Sequence, residues 1–140
     1  MTEVRVRDVM TRTIVYLPAA TTLDEAARAM RDADIGDVVV TDGPSLFGMV
    51  TDRDIVVRAV AEGSDARQTT IGSVASREIV MIEQNSTAAD AAVLMRERAV
   101  RRILVCDNDR ELVGIVSLGD LATLLDPSAL SEISEPSPRP

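Results

Sequence analysis

The stretch GMVTDRDIV, residues 48–56, decides how this chain is read. It begins as a strand, since Phe47, Met49 and Val50 are apolar and follow a loop. It then turns into Thr51-Asp-Arg-Asp54 and the apolar, helix-compatible Ile55-Val56-Val57. A hydroxyl residue followed three positions later by an acid is the capping-box pattern of a helix start. The same two side chains could instead hold a ligand's phosphate and hydroxyls. A helix N-terminus offers free N–H groups and a positive dipole end, and a carboxylate accepts two hydrogen bonds, as from the vicinal hydroxyls of a ribose. Gly48 would let a flat group approach the backbone closely. Locally, the stretch is both a cap and a candidate site.

Working outward, the stretch has a partner. GIVSLGDLA, residues 114–122, repeats the order Gly, apolar, Val, hydroxyl, two variable residues, Asp. Upstream, VRDVMTRTIVYL (6–17) matches IGSVASREIVMI (71–82), TLDEAARAMRDADI (22–35) matches TAADAAVLMRERAV (87–100), and DVVVTD (37–42) matches RILVCD (102–107). The offset is 65 residues, rising to 66 in the last match. Self-similarity at a fixed period marks a repeated structural unit. The repeats are assigned to 1–61 and 71–126, with a polar linker at 62–70 and a disordered tail at 127–140, which holds four of the six prolines.

Each copy reads βαββα, an α+β unit. A short element ends near Met10 or Ala75. A strand follows at Ile14–Leu17 or Ile79–Ile82. A helix then runs from about Thr22 to Asp34, or from Thr87 to Ala99, with apolar residues every three to four positions at Leu23, Ala26, Ala27 and Met30. Thr22…Glu25 and Thr87…Asp90 are its capping boxes. A hairpin joins Val38–Thr41 to Leu46–Val50, and Ile103–Cys106 to Leu112–Val116, and a last helix starts at Thr51 or Ser117. One such unit leaves a sheet face poorly covered. Two copies related by a pseudo-twofold can pack through their sheets, which creates two equivalent clefts of the kind that bind ligands.

Composition narrows the function. Apolar residues make up 46% of the 140 residues but aromatics only 1%, so the core is Val, Ile, Leu, Ala and Met. Stacking recognition of single-stranded nucleic acid lacks its aromatic platforms. A net charge of -8 opposes phosphate-backbone binding, so no nucleic-acid partner is expected. Every basic residue is Arg, and there is no His or Lys. That removes Ser-His-Asp triads, Schiff bases and most zinc sites, so neither an enzyme nor a metal protein is expected. The one cysteine, Cys106, sits in an apolar run and reads as a buried structural thiol. A single cysteine with no membrane span and no signal peptide fits a cytoplasmic setting.

With the duplication and the GMVTDRD and GIVSLGD endings in view, residues 6–125 resemble the tandem CBS module, also called the Bateman module. The first repeat looks like small stand-alone bacterial CBS proteins of the hypoxic-response type. The second is similar to CBS repeats in the gamma subunit of AMP-activated kinase. The resemblance implies that the hydroxyl and Asp contact the phosphate and ribose of an adenine nucleotide, AMP, ADP or ATP, with adenine between apolar strand residues. One cleft would use Thr51, Asp54 and Met49 with Val80, Val100, Arg101 and Arg102 of the other repeat. A weaker second cleft would use Ser117, Asp120 and Ile115 with Val15, Ile35 and Gly36. There Asp37 stands at the position of Arg102, and an acid repels phosphate.

The resulting expectation is a non-catalytic regulatory module that needs no cofactor, binds an adenine nucleotide and signals to an unidentified protein. The alternative is a dimeric interaction scaffold with vestigial clefts. The resemblance also implies a homodimer, formed through Ile55, Val56, Val57, Leu121, Leu124 and Leu125.

Overall fold

The computed structural model describes residues 3–122 and Leu124. The chain forms two compact units. One, the central unit, is Val15–Ile79; the other, the split unit, joins residues up to Ile14 to those from Val80 onward.

In the central unit the elements are β1 (Tyr16–Pro18), α2 (Leu23–Ala33), β2 (Asp37–Asp42), β3 (Ser45–Thr51) and α3 (Asp52–Ile55), after α1 (Val6–Val9) in the preceding segment. α3 passes into a π-helical turn at Val56–Val60. The split unit contributes β4 (Met81–Glu83), α4 (Ala88–Arg98), β5 (Arg102–Cys106), β6 (Leu112–Ser117) and α5 (Leu118–Leu121). Each unit holds a three-stranded sheet in the order β1-β2-β3 or β4-β5-β6. The first pair is parallel and the second antiparallel. The βαββα reading therefore holds in both copies. The first strands begin two residues later than the apolar runs suggest. Val15 and Val80 still join the sheets through their carbonyls, which accept from the N–H groups of Val39 and Leu104 at 2.9 and 3.0 Å.

Local chemistry explains the helix bounds. Thr22 and Thr87 are the N-caps of α2 and α4, with Glu25 and Asp90 accepting from their backbone N–H groups. The Thr22 hydroxyl donates to Asp24 and Glu25 and holds both carboxyls below their ordinary range. Both helices end on a left-handed residue, Asp34 or Ala99, each at φ 55°. This is the usual stop signal of an α-helix, here made without glycine.

Each unit has its own aliphatic core. Leu23, Ala26 and Met30 of α2 pack with Val38, Val40, Val50 and Ile71 in the central unit. Ala88, Ala91 and Met95 of α4 pack with Val6, Ile103, Val105, Val116 and Leu121 in the split unit. The middle of β2, Val38–Val40, is an unbroken apolar run, and all three valines are buried. Continuous apolar runs are what strands buried on both faces require.

The packing boundaries differ from the repeat boundaries, and the linker 62–70 is tied to α2 by backbone hydrogen bonds. The first-turn N–H groups of α2 are taken by the carbonyls of Thr69 and Ala66, at 2.9 Å from Leu23 and 3.1 Å from Asp24. In the split unit the N-terminal segment does the same work. The Ala88 N–H donates to the Val4 carbonyl at 2.9 Å, and Val6 is buried in that core. Each helix start thus has its orphan donors satisfied by a leading segment from elsewhere in the chain. Segment 3–14 belongs in sequence to the first repeat and packs on the second, while 66–79 packs on the first. The expected disordered tail, 127–140, and Leu125 lie outside the described residues.

Candidate functional site

Two hydroxyl–acid pairs stand at equivalent ends of β3 and β6. Thr51 and Ser117 have the same backbone conformation, φ -113° and ψ 164°, the extended geometry of an N-cap. The Asp54 N–H donates to Thr51 Oγ1 at 3.1 Å, and the Thr51 N–H donates to Asp54 Oδ2 at 2.9 Å. Ser117 and Asp120 repeat both distances. Both pairs are therefore complete capping boxes. The hydroxyl accepts in this arrangement and keeps its own proton to donate. Each carboxylate keeps Oδ1 outside the box.

The α-helical segments behind the pairs are short, four residues in α3 and four in α5. Behind Thr51 the peptide dipoles stay aligned through the following π-helical turn to Val60. In the central unit the helix continues only through the π-turn. There the Ala61 N–H donates to the Val56 carbonyl, five residues back, at 2.9 Å. β-branched Val56, Val57 and Val60 crowd a regular helical turn.

The two glycines have a different task from the one expected. A Cβ on Gly48 would lie 2.2 Å from the Ser76 carbonyl oxygen, and one on Gly114 would lie 2.8 Å from that of Thr11. What approaches these backbones is the chain itself. Met49 and Ser76 exchange two backbone hydrogen bonds, at 3.0 and 2.8 Å, and Thr11 and Ile115 exchange two at 2.8 and 2.9 Å. Arg77 adds a hydrogen bond to the Phe47 carbonyl at 2.7 Å and lies over the Phe47 ring at 3.7 Å. The space in front of each glycine is filled by a short added strand, not kept for a flat ligand.

Strand register places the remaining candidates. Asp37 lies opposite Thr51, and Arg102 lies opposite Ser117. Within its own unit, then, the hydroxyl of the split unit has the arginine as cross-strand neighbour, and that of the central unit has the acid. Met49 and Ile115 are the strand residues two positions before the hydroxyls, paired to Val39 and Leu104. The Gly36 carbonyl accepts from the Asp52 N–H at 2.9 Å, and that of Arg101 from Leu118 at 2.8 Å, so both help start the last helix. Val15, Ile35 and Gly36 fall in the central unit, and Val80, Val100, Arg101 and Arg102 in the split unit. Sequence reasoning missed Arg58, whose Nε lies 3.8 Å from Asp54 Oδ1. Its signal is the four-residue spacing on one helix.

A separate cavity of about 290 Å³ is lined by Met81, Ile82, Glu83, Cys106, Asp107, Asn108 and Arg110. It lies at the far end of its sheet from Ser117, by the register of β5. Cys106 is buried as expected, and its thiol donates to the Ile82 carbonyl at 3.6 Å.

Fold and sites together define a tandem-repeat α+β module with an equivalent hydroxyl–acid pair at the end of the last strand of each repeat. The family model of the CBS domain matches residues 6–60 and 71–126, and the chain belongs to the CBS-domain family. It is 40% identical over 117 residues to the CBS domain-containing protein YhcV of Bacillus subtilis, covering 84% of this chain and 82% of that one. It is 37% identical over 125 residues to Hypoxic response protein 1 of Mycobacterium tuberculosis, covering 89% and 87%. Among solved structures, Hypoxic Response Protein I with two coordinated zinc ions aligns at 36% identity with a TM-score of 0.67, covering 89% of this chain and 100% of that one.

Protein zinc sites draw on Cys, His and carboxylate ligands in groups of three or four. This chain has no His, and its one Cys is buried. Among the described residues no three His, Cys, Asp or Glu side chains gather to hold a metal, and no helix is long and apolar enough to cross a membrane.

Proposed function

We propose that the chain is a non-catalytic regulatory module that binds an adenine nucleotide, AMP, ADP or ATP, and passes its occupancy to another protein. The observation that carries this reading is the identity of the two hydroxyl–acid pairs. They share backbone angles and both hydrogen-bond lengths although the residues between them differ, Asp52-Arg53 in one and Leu118-Gly119 in the other. Each offers a donor hydroxyl for a phosphate and one carboxylate oxygen outside the cap for a ribose diol, although in the Thr51 pair Arg58 stands 3.8 Å from that oxygen. A signal follows only if the nucleotide binds one conformation of the module more tightly than another.

Isothermal titration with AMP, ADP and ATP tests the reading. Losing a charged acceptor for the ribose costs roughly 1.5–3 kcal/mol, about ten- to a hundred-fold in affinity. Asp120→Ala is expected to show that loss. Asp54→Ala is expected to lose less, because Arg58 already stands at its outer oxygen and Asp37 lies across from Thr51. This order reverses the one the sequence suggests. The opposite result would favour the grouping that pairs Thr51 with Arg101 and Arg102. Absence of heat with all three nucleotides, together with an unshifted Tm, supports a scaffold with vestigial clefts.

Self-association is the second element of the proposal. Val56, Val57 and Val60 are exposed by 57%, 46% and 64%, one apolar group on the π-turn. Exposed apolar patches mark contact surfaces when they are contiguous. The expected interface changes in membership. Leu121 is fully buried in the split-unit core and is not part of it, while Val60 joins it. Val57→Asp should shift the chain from dimer to monomer by sedimentation and leave unchanged the urea midpoint measured at protein concentrations where the wild type is monomeric. An unchanged mass would remove this surface from the proposal.

A further inference from the structure

Asp54 is engaged beyond its cap. Oδ2 accepts from the Thr51 N–H, while Oδ1 lies 3.8 Å from Arg58 Nε, one helical turn on. The same guanidinium donates to the Val74 carbonyl at 3.3 Å. Val74 follows the 3-10 turn Ile71–Ser73 and precedes Ser76, which is paired with Met49 through both backbone groups. Arg58 thus touches the acid of the hydroxyl–acid pair on one side. On the other it holds the segment that pairs with β3 two residues before Thr51. The split unit has no equivalent, because the fourth residue after Asp120 is Leu124.

At 3.8 Å the Arg58–Asp54 contact is charge attraction, too long for a hydrogen bond. It therefore depends on the full charge of the carboxylate. The Arg58 side chain is 54% exposed and that of Asp54 17%, so the pair is screened on one side. Such pairs shift an equilibrium by roughly two- to five-fold. With one acceptor lost, Arg58 retains a single long bond to Val74, which must then offset the rotamer entropy of a long side chain.

We propose that Arg58 is a relay between the Asp54 carboxylate and segment 71–76, so that whatever engages Asp54 is felt at the Met49–Ser76 pairing. That pairing holds the segment through which the chain leaves the central unit at Ile79. The nucleotide reading enters only in naming what engages Asp54. A ligand hydroxyl that takes Oδ1 weakens the pull on Arg58, releases the Val74 carbonyl and loosens the segment. Arg58 acts through Asp54 and is a positioning residue.

Native-state hydrogen exchange of the ligand-free chain tests the relay, since it reads local opening residue by residue. Asp54→Asn keeps an oxygen for the Thr51 N–H but removes the charge. Arg58→Met removes both contacts and keeps the apolar stem. Each alone is expected to speed exchange of the Ala75 and Ser76 amides roughly two- to five-fold. The double variant should be no faster than Arg58→Met, the signature of two residues acting along one path. Asp120→Asn should leave these amides unchanged. A merely structural role would instead lower the urea midpoint and speed exchange throughout the unit. Unchanged Ser76 exchange in Asp54→Asn overturns the relay, as does a full additional effect in the double variant. A second arm adds AMP. Faster Ser76 exchange in the wild type but not in Arg58→Met supports the relay under load, and unaltered exchange despite measured AMP binding at the Thr51–Asp54 pair counts against it. Absence of AMP binding counts against the nucleotide reading, and the ligand-free arm still decides the relay.

Discussion

Gly48→Ala is expected to destabilise the central unit by about 3 kcal/mol or more, a large share of the stability of a small domain. The added methyl would sit 2.2 Å from the Ser76 carbonyl oxygen, inside contact distance of a backbone atom that cannot rotate away. Relief requires segment 75–77 to move by about an ångström. That strains or breaks the two Met49–Ser76 hydrogen bonds, the Arg77 bond to Phe47 and the stacking of Arg77 on the Phe47 ring. Each backbone bond contributes about 1 kcal/mol, and the overpacking costs a further 1–3 kcal/mol. Urea unfolding measures the change. Gly119→Ala is the control, because a Cβ there meets only the Ser117 Oγ, at an ordinary 3.6 Å. It should be neutral or slightly stabilising, since Ala is the better helix former. Equal midpoints for the two variants would refute a role for Gly48 in seating the added strand.

Leu121→Ala should cost about 2–5 kcal/mol, the range for truncating a fully buried leucine where the cavity cannot collapse. Leu121 is 0% exposed among Met95, Ile103 and Val116. It fixes α5 to the sheet directly after the Ser117–Asp120 pair, so its loss should also loosen that pair. The measurement separates two readings of the same residue. As part of a self-association surface, Leu121→Ala would change the mass by sedimentation and leave a concentration-independent urea midpoint alone. As a core residue it lowers the midpoint at every protein concentration. Its counterpart Ile55 is only partly buried against the central core, so Ile55→Ala should cost less.

Much of this was legible because the signals are local. The capping residues Thr22, Thr51, Thr87 and Ser117 fix helix starts to the residue, since the hydroxyl and the acid three positions on satisfy each other's backbone N–H groups. The apolar period of α2 marks its buried face, and the unbroken apolar run of β2 marks a strand buried on both sides. The candidate site was legible to the same depth: the sequence shows the hydroxyl–acid pairs. It does not show what stands next to them. Arg58 reaches Asp54 and Val74 only because the helix brings residue 58 one turn above residue 54, while a turn 16 residues away returns beneath it. Gly48 and Gly114 read as clearance for a ligand because glycine signals a close approach without naming what approaches.

The sequence by itself determined that the chain is two copies of one βαββα unit, where the capped helices of each begin, and that an aliphatic core and a capped hydroxyl–acid pair recur in both. Only the tertiary structure decided which leading segment completes which copy. Residues 3–14 and 68–79 are equivalent in the repeat and carry the same apolar and hydrogen-bonding pattern, so either could satisfy the first-turn N–H groups of either helix. The chain exchanges them: Val4 caps α4, Thr69 caps α2, and Thr11 and Ser76 pair beside Gly114 and Gly48. A repeated pattern specifies the contact but not the copy that makes it, because both segments offer the same kind of apolar side chains and backbone acceptors.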